Sequence, residues 1–445
     1  MCFTSDPKLT LFKCSRQGLM PPILFDKPEP GDSARRGPRR LWALALAPKL
    51  PSDTLDGLPI LEEVPGTAAG LLFQCFRDAL LWATAEPITR TELFRPESNR
   101  FLLYDLALDP RIAAAVEILT RIVDGKSVEA LHITRACLTV AEWAAANGYA
   151  ATEYHFCVLG AYAAPEEANA AFAAGRAARR TGRVEDARSW FRRSISLARR
   201  AADDAAYASA YLGWGILEER QGRQSVAERK FVRAWRAANR GGLPELAGAT
   251  RHNMIALALT ARDFEAGNRH IISAYKLYGP KNPLLYRLAN DAAGFWSTFG
   301  LFGISLPLYE AALPFVTRAD ERMTIYANIS RVAAALGERD TYLEAWDKAL
   351  DLDREAGEKL PEVYCELARG AYALGYHPRA KDLASRAVAV AAARGGGASE
   401  ENARTLFTAI QTQTLSDPAR EASPELQRFV ARFRSRLRQL RTPEN

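Results

Sequence analysis

The sequence predicts an all-α protein, a right-handed α-solenoid of helical hairpins, and three observations predict it. The chain has 445 residues, 48% apolar and 25% charged, the balance of a folded protein. Alanine is abundant and β-branched residues are sparse, which favours helix over strand. A spaced set of small and aromatic residues recurs six times, and a repeat of that length marks stacked supersecondary units.

Residues 1–66 hold ten of the 24 prolines, Pro21-Pro22 and Pro28-Glu29-Pro30-Gly31-Asp32 among them, and no helical period survives that density. This segment is expected to be irregular, with apolar pieces such as Ile23-Leu24-Phe25 available to dock. Arg35, Arg36, Arg39 and Arg40 precede the apolar run Leu41–Ala47, in rough outline a secretion signal. The run is only seven residues, begins 40 residues in, and is stopped by Pro48 and Pro51. No apolar run approaches the ~18 residues of a membrane span. The expected location is the cytoplasm.

Residues 67–163 read as helical. Leu71, Leu72, Cys75, Phe76, Ala79, Leu80 and Trp82 fall at helical spacing. Further helices are expected over 110–123, between Asp109-Pro110 and Asp124-Gly125, over 127–146 up to Asn147-Gly148, and over 150–163. The stretch 127–163 reads as the second helix of a degenerate repeat joined to the first helix of the next.

Residues 164–393 carry the repeat. Its unit is a small residue, three residues, an aromatic, two residues, a small residue. The copies are Ala187, Phe191, Ser194; Ala227, Phe231, Ala234; Ala266, His270, Ala274; Ser305, Tyr309, Ala312; Tyr342, Trp346, Ala349; and Ala380, Ala384, Ala387. The leading positions are 40, 39, 39, 37 and 38 residues apart. A turn precedes each copy, at Gly182, Gly222, Arg262-Asp263, Gly300, Gly337 and Gly375, and another helix precedes each turn. Two of those helices carry Tyr211, Trp214-Gly215 and Ala171, Ala174-Gly175. Each repeat is therefore helix, tight turn, helix. Neither helix can bury its apolar side alone, so neighbouring hairpins cover one another.

Over about 230 residues these motifs resemble the tetratricopeptide family, whose second helix carries Ala-x3-Phe-x2-Ala. The period is longer than the usual ~34 residues and resembles the extended variants of bacterial signalling and regulator proteins. The resemblance implies a TPR-like superhelix whose first helices line an inner, protein-binding face. At the inward positions stand Arg176, Arg180, Arg251, Asn290, Asn328, Arg331 and Arg369. Arginine grips a carboxylate through two parallel hydrogen bonds and asparagine holds a backbone amide. The expected partner is therefore a protein or peptide, with acidic or carboxylate-bearing segments suiting the arginines.

Residues 394–445 close the chain. Gly395-Gly396-Gly397 reads as a helix stop, followed by helices near 399–413 and 424–441. The last helix carries Leu426, Phe429, Val430, Phe433, Leu437 and Leu440 on one stripe, amid Arg428, Arg432, Arg434, Arg436, Arg438 and Arg441. It is expected to cap the last repeat, and it is the one candidate contact for nucleic acid, a less favoured partner. The formal net charge of +7 over this length permits an acidic partner without demanding nucleic acid.

No catalytic signature emerges. The five histidines form no His-Glu-x2-His pair, the six cysteines no Cys-x2-Cys pair, and neither a phosphate loop nor a Gly-x-Ser-x-Gly elbow is present. The carboxylate pairs Asp203-Asp204 and Glu218-Glu219 are expected in turns or on polar faces. No cofactor or metal is expected. The sequence points to a non-catalytic interaction scaffold or adaptor, or alternatively to a bacterial signalling or transcription regulator whose repeats sense a ligand or peptide.

Overall fold

The computed structural model describes residues 57–85, 109–123, 128–352, 360–393, 397–416 and 418–440. The basic patch and apolar run at 35–47, most of the proline-rich segment, the Asp124-Gly125 stop and Gly395-Gly396 lie outside these residues. Every regular element among the described residues is a helix. The chain divides into two compact units, the first ending at Leu246 and the second beginning at Ala247.

In the first unit, α1 (Leu58–Glu63), α2 (Thr67–Thr84), α3 (Pro110–Val123) and α4 (Ala130–Ala146) lead to α5 (Ala150–Ala163). They continue into α6 (Ala168–Arg180), α7 (Val184–Ala201), α8 (Asp204–Arg220) and α9 (Gln224–Arg240). Consecutive helices pair as α4–α5, α6–α7 and α8–α9, and α6 also lies against α8. The stretch 127–163 is therefore a hairpin of its own, in step with those after it, and not two halves of different repeats.

α5 is buried on nearly every side, from Thr152 to Ala163, because α1, α2, α4 and α6 all pack on it. A helix start that deep leaves N–H groups without water. The Glu63 carboxylate satisfies them, accepting from Ala151 N at 2.9 Å and Thr152 N at 2.7 Å.

Small residues bring the paired helices close. Ala170, Ala171, Ala173, Ala174, Ala177 and Ala178 of α6 are buried, and so is the Phe191 ring of α7. A Cβ on Gly175 would lie 2.8 Å from Phe191, and one on Gly215 would lie 2.5 Å from Phe231. The aromatic of the second helix thus seats on a glycine of the first.

In the second unit, α10 (Pro244–Thr260, divided between the units at its first turn) precedes α11 (Phe264–Leu277). Then follow the pairs α12 (Leu285–Thr298) with α13 (Phe302–Ala312), α14 (Ala319–Leu336) with α15 (Arg339–Asp351), and α16 (Leu360–Ala373) with α17 (His377–Ala393). α14 lies against α16, and α18 (Ala398–Gln411) lies against α17 and α16. Consecutively paired helices make each unit a solenoid-like array.

The hairpin turns need a left-handed residue, which glycine adopts without steric cost. Gly182, Gly222, Gly300, Gly337 and Gly375 have φ between 73° and 80°, and Arg262 holds the same place with φ 56°. The third copy shifts by one residue. Its buried triad is Gly267, Ile271 and Ala274, whereas Ala266 and His270 stay half exposed. The shift places the leading residue 40 after Ala227, and the aromatic over Gly267 comes from Phe295 of α12.

The last helix, α19 (Pro424–Arg438), does not cap the final repeat. α18 already covers α17, and α19 returns to α13 and α12. Its buried Leu426, Phe429, Val430, Phe433 and Leu437 meet an aromatic cluster. The Tyr275 ring of α11 lies 5.1 Å from Phe429 and 4.8 Å from Phe433, and Trp296 lies 6.3 Å from Phe429. Arg436 Nη1 donates to the Tyr275 carbonyl at 2.9 Å, and Arg420 N donates to the Gly300 carbonyl at 2.8 Å. α13 is only 11 residues long with Pro307 inside it, a short second helix beside which α19 lies.

Candidate functional site

The seven polar residues expected on the inner face fall into the two units, and each unit is described separately. In the first unit, Arg176 and Arg180 share the last turns of α6, where positive charge also suits the helix dipole. Arg180 Nη1 lies 3.1 Å from Glu153 Oε1 of α5, whose side chain is fully buried. Arg179, between them, was absent from the sequence expectation. It is 7% exposed, and its Nε and Nη1 have no hydrogen-bond partner. Burial, then the charges of Arg220, Arg176 and Arg180, pull its guanidinium down to about 9. Glu153 faces these arginines as a carboxylate raised above its ordinary range by burial, and its Oε2 also lacks a partner.

In the second unit the arginines have internal partners. Arg331 Nη1 of α14 donates to Glu366 Oε2 of α16 at 2.9 Å, and Arg369 Nε lies 3.8 Å from Glu366 Oε1. All three side chains are buried, so this set is an ion triad between adjacent first helices. Arg176, Arg331 and Arg369 each stand eleven residues ahead of the leading residue of their copies, Ala187, Tyr342 and Ala380. The same repeat position therefore holds a half-exposed arginine in one unit and buried, paired ones in the other.

Arg251, Asn290 and Asn328 remain half exposed. Arg251 Nη1 lies 3.4 Å from His270 Nδ1. Burial and the charges of Arg251 and Arg269 push His270 down to about 4. Asn290 Nδ2 donates to Asp291 Oδ1 at 3.2 Å, leaving its own Oδ1 buried without a partner. Asp291 Oδ2 in turn lies 2.9 Å from His252 Nε2, and His252 Nδ1 lies 3.1 Å from the Tyr278 hydroxyl, all buried.

Two carboxylates expected on polar faces are instead buried. Glu218 is 2% exposed; Arg188 Nε donates to its Oε1 at 2.8 Å and Trp214 Nε1 donates at 2.8 Å. Burial alone would raise Glu218, but the Arg188 and Trp214 hydrogen bonds outweigh it and hold the carboxyl below its ordinary range. Glu219 is buried as well. Asp203, by contrast, caps α8 as a turn residue, accepting from Ala206 N at 2.8 Å.

Sequence reasoning missed Glu153 and Glu366 because the arginine each one meets lies roughly one repeat away, and it missed Arg179 because its burial follows from the packing of neighbouring helices. Glu153 and Arg180 are 27 residues apart, and Arg331 and Glu366 are 35 apart. An arginine and a carboxylate about one hairpin apart, in either order, on neighbouring helices is the signal that would have found Glu153 and Glu366.

Among the described residues, no group of three or more His, Cys, Asp or Glu side chains is placed to hold a metal ion. Cys75, Cys137, Cys157 and Cys365 are free, buried thiols, and burial pushes Cys75 and Cys365 up to about 12. No helix among the described residues is long and apolar enough to cross a membrane.

No protein-family model matches this chain, and no curated protein matches it. Among solved structures, BtubC (BKLC) from P. vanneervenii is similar at 15% identity and a TM-score of 0.30, covering 67% of this chain and 98% of that one.

Proposed function

We propose that this protein is a non-catalytic, cytoplasmic interaction scaffold built of long tetratricopeptide-like repeats, and that α6 of its first unit receives an acidic peptide segment. Support for the repeat type comes from the aromatic-on-glycine contacts, Phe191 on Gly175 and Phe231 on Gly215, at the same place in consecutive hairpins. Free, buried thiols fit a reducing compartment.

The observation that carries the binding reading is Arg179. A buried guanidinium with unsatisfied donors is costly unless an acceptor arrives. Arg176 and Arg180 stand beside it, with Glu153 in opposition. A partner carboxylate can pair with the half-exposed Arg176 and Arg180 and offset the charge of Arg179 buried between them. Arg331 and Arg369 serve the fold in this reading, since both are buried beside Glu366, which accepts a hydrogen bond from Arg331 and lies 3.8 Å from Arg369.

The test is isothermal titration with an aspartate- and glutamate-rich dodecapeptide and its glutamine-substituted counterpart. The acidic peptide is expected to bind and the neutral one not. Arg176→Ala and Arg179→Met should each weaken binding at least about tenfold, the equivalent of ~1.4 kcal/mol. Equal affinity for wild type and both variants removes α6 from the account.

A further inference from the structure

The second helices of the first unit carry a surface that the peptide reading does not use. α7 and α9 together hold ten basic residues (Arg188, Arg192, Arg193, Arg199, Arg200; Arg229, Lys230, Arg233, Arg236, Arg240) against three acidic ones (Glu185, Asp186, Glu228). Their excess of seven equals the formal net charge of the whole 445-residue chain. The second helices further along are not like this: α15 carries Arg339 and Lys348 against Asp340, Glu344, Asp347 and Asp351. Some of the α7 and α9 charge is neutralised, since Arg188 pairs with Glu218, Arg200 with Glu166 and Arg240 with Asp204. Among the described residues no carboxylate pairs in this way with Arg192, Arg229, Lys230, Arg233 or Arg236, and all but the half-buried Lys230 are exposed.

Arg192, Arg229 and Arg233 crowd Lys230. Lys230 Nζ stands 3.2 Å from the centre of the Trp214 ring, and Arg192 Cζ stands 5.5 Å from the same ring. Arg233 Cζ lies 5.5 Å from the Tyr211 ring, and Arg233 Nη1 donates to the Tyr211 hydroxyl at 3.0 Å. Trp214 and Tyr211 are thus aromatic floors that hold cations in place, which cuts the entropy lost on meeting an anion. Burial, then repulsion from Arg233, with Arg192 and Arg229 adding to it, pushes Lys230 down to about 8, against the pull of Glu218. The field here lacks its counter-charge.

We infer that the α7–α9 face binds the phosphodiester backbone of nucleic acid without reading its sequence. Arg229, Arg233 and Arg236 recur three or four residues apart, one side of a helix rising ~1.5 Å per residue, with the Asp204-paired Arg240 continuing the line. Such a row presents a charge about every 4.5–6 Å, suited to a regularly charged polymer. A protein partner would need apolar anchors at the centre of the contact. Among the described residues the exposed large apolar side chains are Leu58, Leu61, Leu81, Leu336 and Leu343, and none lies on α7 or α9.

The experiment is fluorescence anisotropy of the full chain with a labelled 20-base-pair duplex of mixed sequence, titrated between 50 and 300 mM NaCl. Binding is expected in low salt, with log K falling against log salt at a slope near −4, as for four to five phosphate contacts. Arg229→Glu/Arg236→Glu, at two exposed positions, is expected to leave the melting temperature unchanged, and should reduce affinity at least about thirtyfold and flatten the slope towards −2. Arg428→Glu/Arg432→Glu on α19 should bind as wild type does, and so should Arg176→Ala, which separates this surface from the peptide site. No binding at 50 mM NaCl, or unaltered binding by the α9 variant, overturns the inference. So does loss of binding in the α19 variant, or competition by polyglutamate as effective as by unlabelled duplex, which would assign the face to acidic proteins.

Discussion

The Phe231 ring occupies the space that a side chain at Gly215 would fill: a Cβ there would stand 2.5 Å from two ring carbons. Gly175 and Phe191 repeat this one hairpin earlier, at 2.8 Å. The depth to which paired helices sink into each other is set here by a missing methyl group.

Gly215→Ala should therefore destabilise by about 1–3 kcal/mol, the usual cost of overpacking. In an unobstructed helix interior the same change gains up to ~1 kcal/mol. Gly70 of α2 is exposed with nothing within 4 Å of the Cβ position, and Gly70→Ala should gain accordingly. Thermal melts of the two variants should move in opposite directions. A rise for both would mean that the ring yields.

The Arg331–Glu366 contact makes a second prediction. Both side chains are buried at 2.9 Å separation, with Arg369 alongside. Arg331→Met leaves Glu366 short of its main partner and should cost roughly 3 kcal/mol. Arg331→Met/Glu366→Met should recover part of that loss. Urea unfolding of the two singles and the double gives the coupling; additive losses would show that the two groups act independently.

His270 gives a pH dependence. It is held near 4 in the folded protein and sits near 6.5 when unfolded, so the unfolded chain binds the extra proton first. Its contribution to stability is complete above pH 6.5 and is lost as pH falls towards 4. Because the ring is half exposed, about 1 kcal/mol is expected over that window after screening. Urea midpoints for His270→Gln should fall less steeply there than those of wild type. Parallel curves would remove the desolvated imidazole as their cause.

α19 should be releasable as a piece. Phe433 is fully buried against Tyr275 at 4.8 Å, and Phe429 is 6% exposed. Phe429→Ala/Phe433→Ala removes that anchor without touching the hairpins. Limited proteolysis should then cut within 412–423 while the main melting transition persists. Resistance equal to wild type would place the anchoring in Arg436 and the Arg420–Gly300 bond.

Much of the fold was legible in the sequence. The turn positions at 182, 222, 262, 300, 337 and 375 coincide with left-handed residues, because a hairpin of this length must reverse at a fixed place and glycine reports it. The third copy misled by one residue. His270 resembled the expected aromatic, but a phenylalanine from the next hairpin, Phe295, fills the gap over Gly267. The candidate site was legible as residue types and not as partners. Arg331 looked free because Glu366 faces it only after two hairpins have stacked, although Arg369 stands three residues from Glu366 on the same helix.

What the sequence by itself determined is the local order: helices, turns and the pairing of neighbours. These depend on periodicity and on residues within one repeat of each other. The tertiary structure alone decided where α19 goes, which arginines are satisfied and which carboxylates are buried. Those outcomes depend on which surfaces remain uncovered once the array has formed. α18 takes the open side of α17, so the apolar stripe of α19 finds its partner at Tyr275 and Trp296, far back along the chain. A stripe specifies that burial must occur; the remaining open surface specifies where.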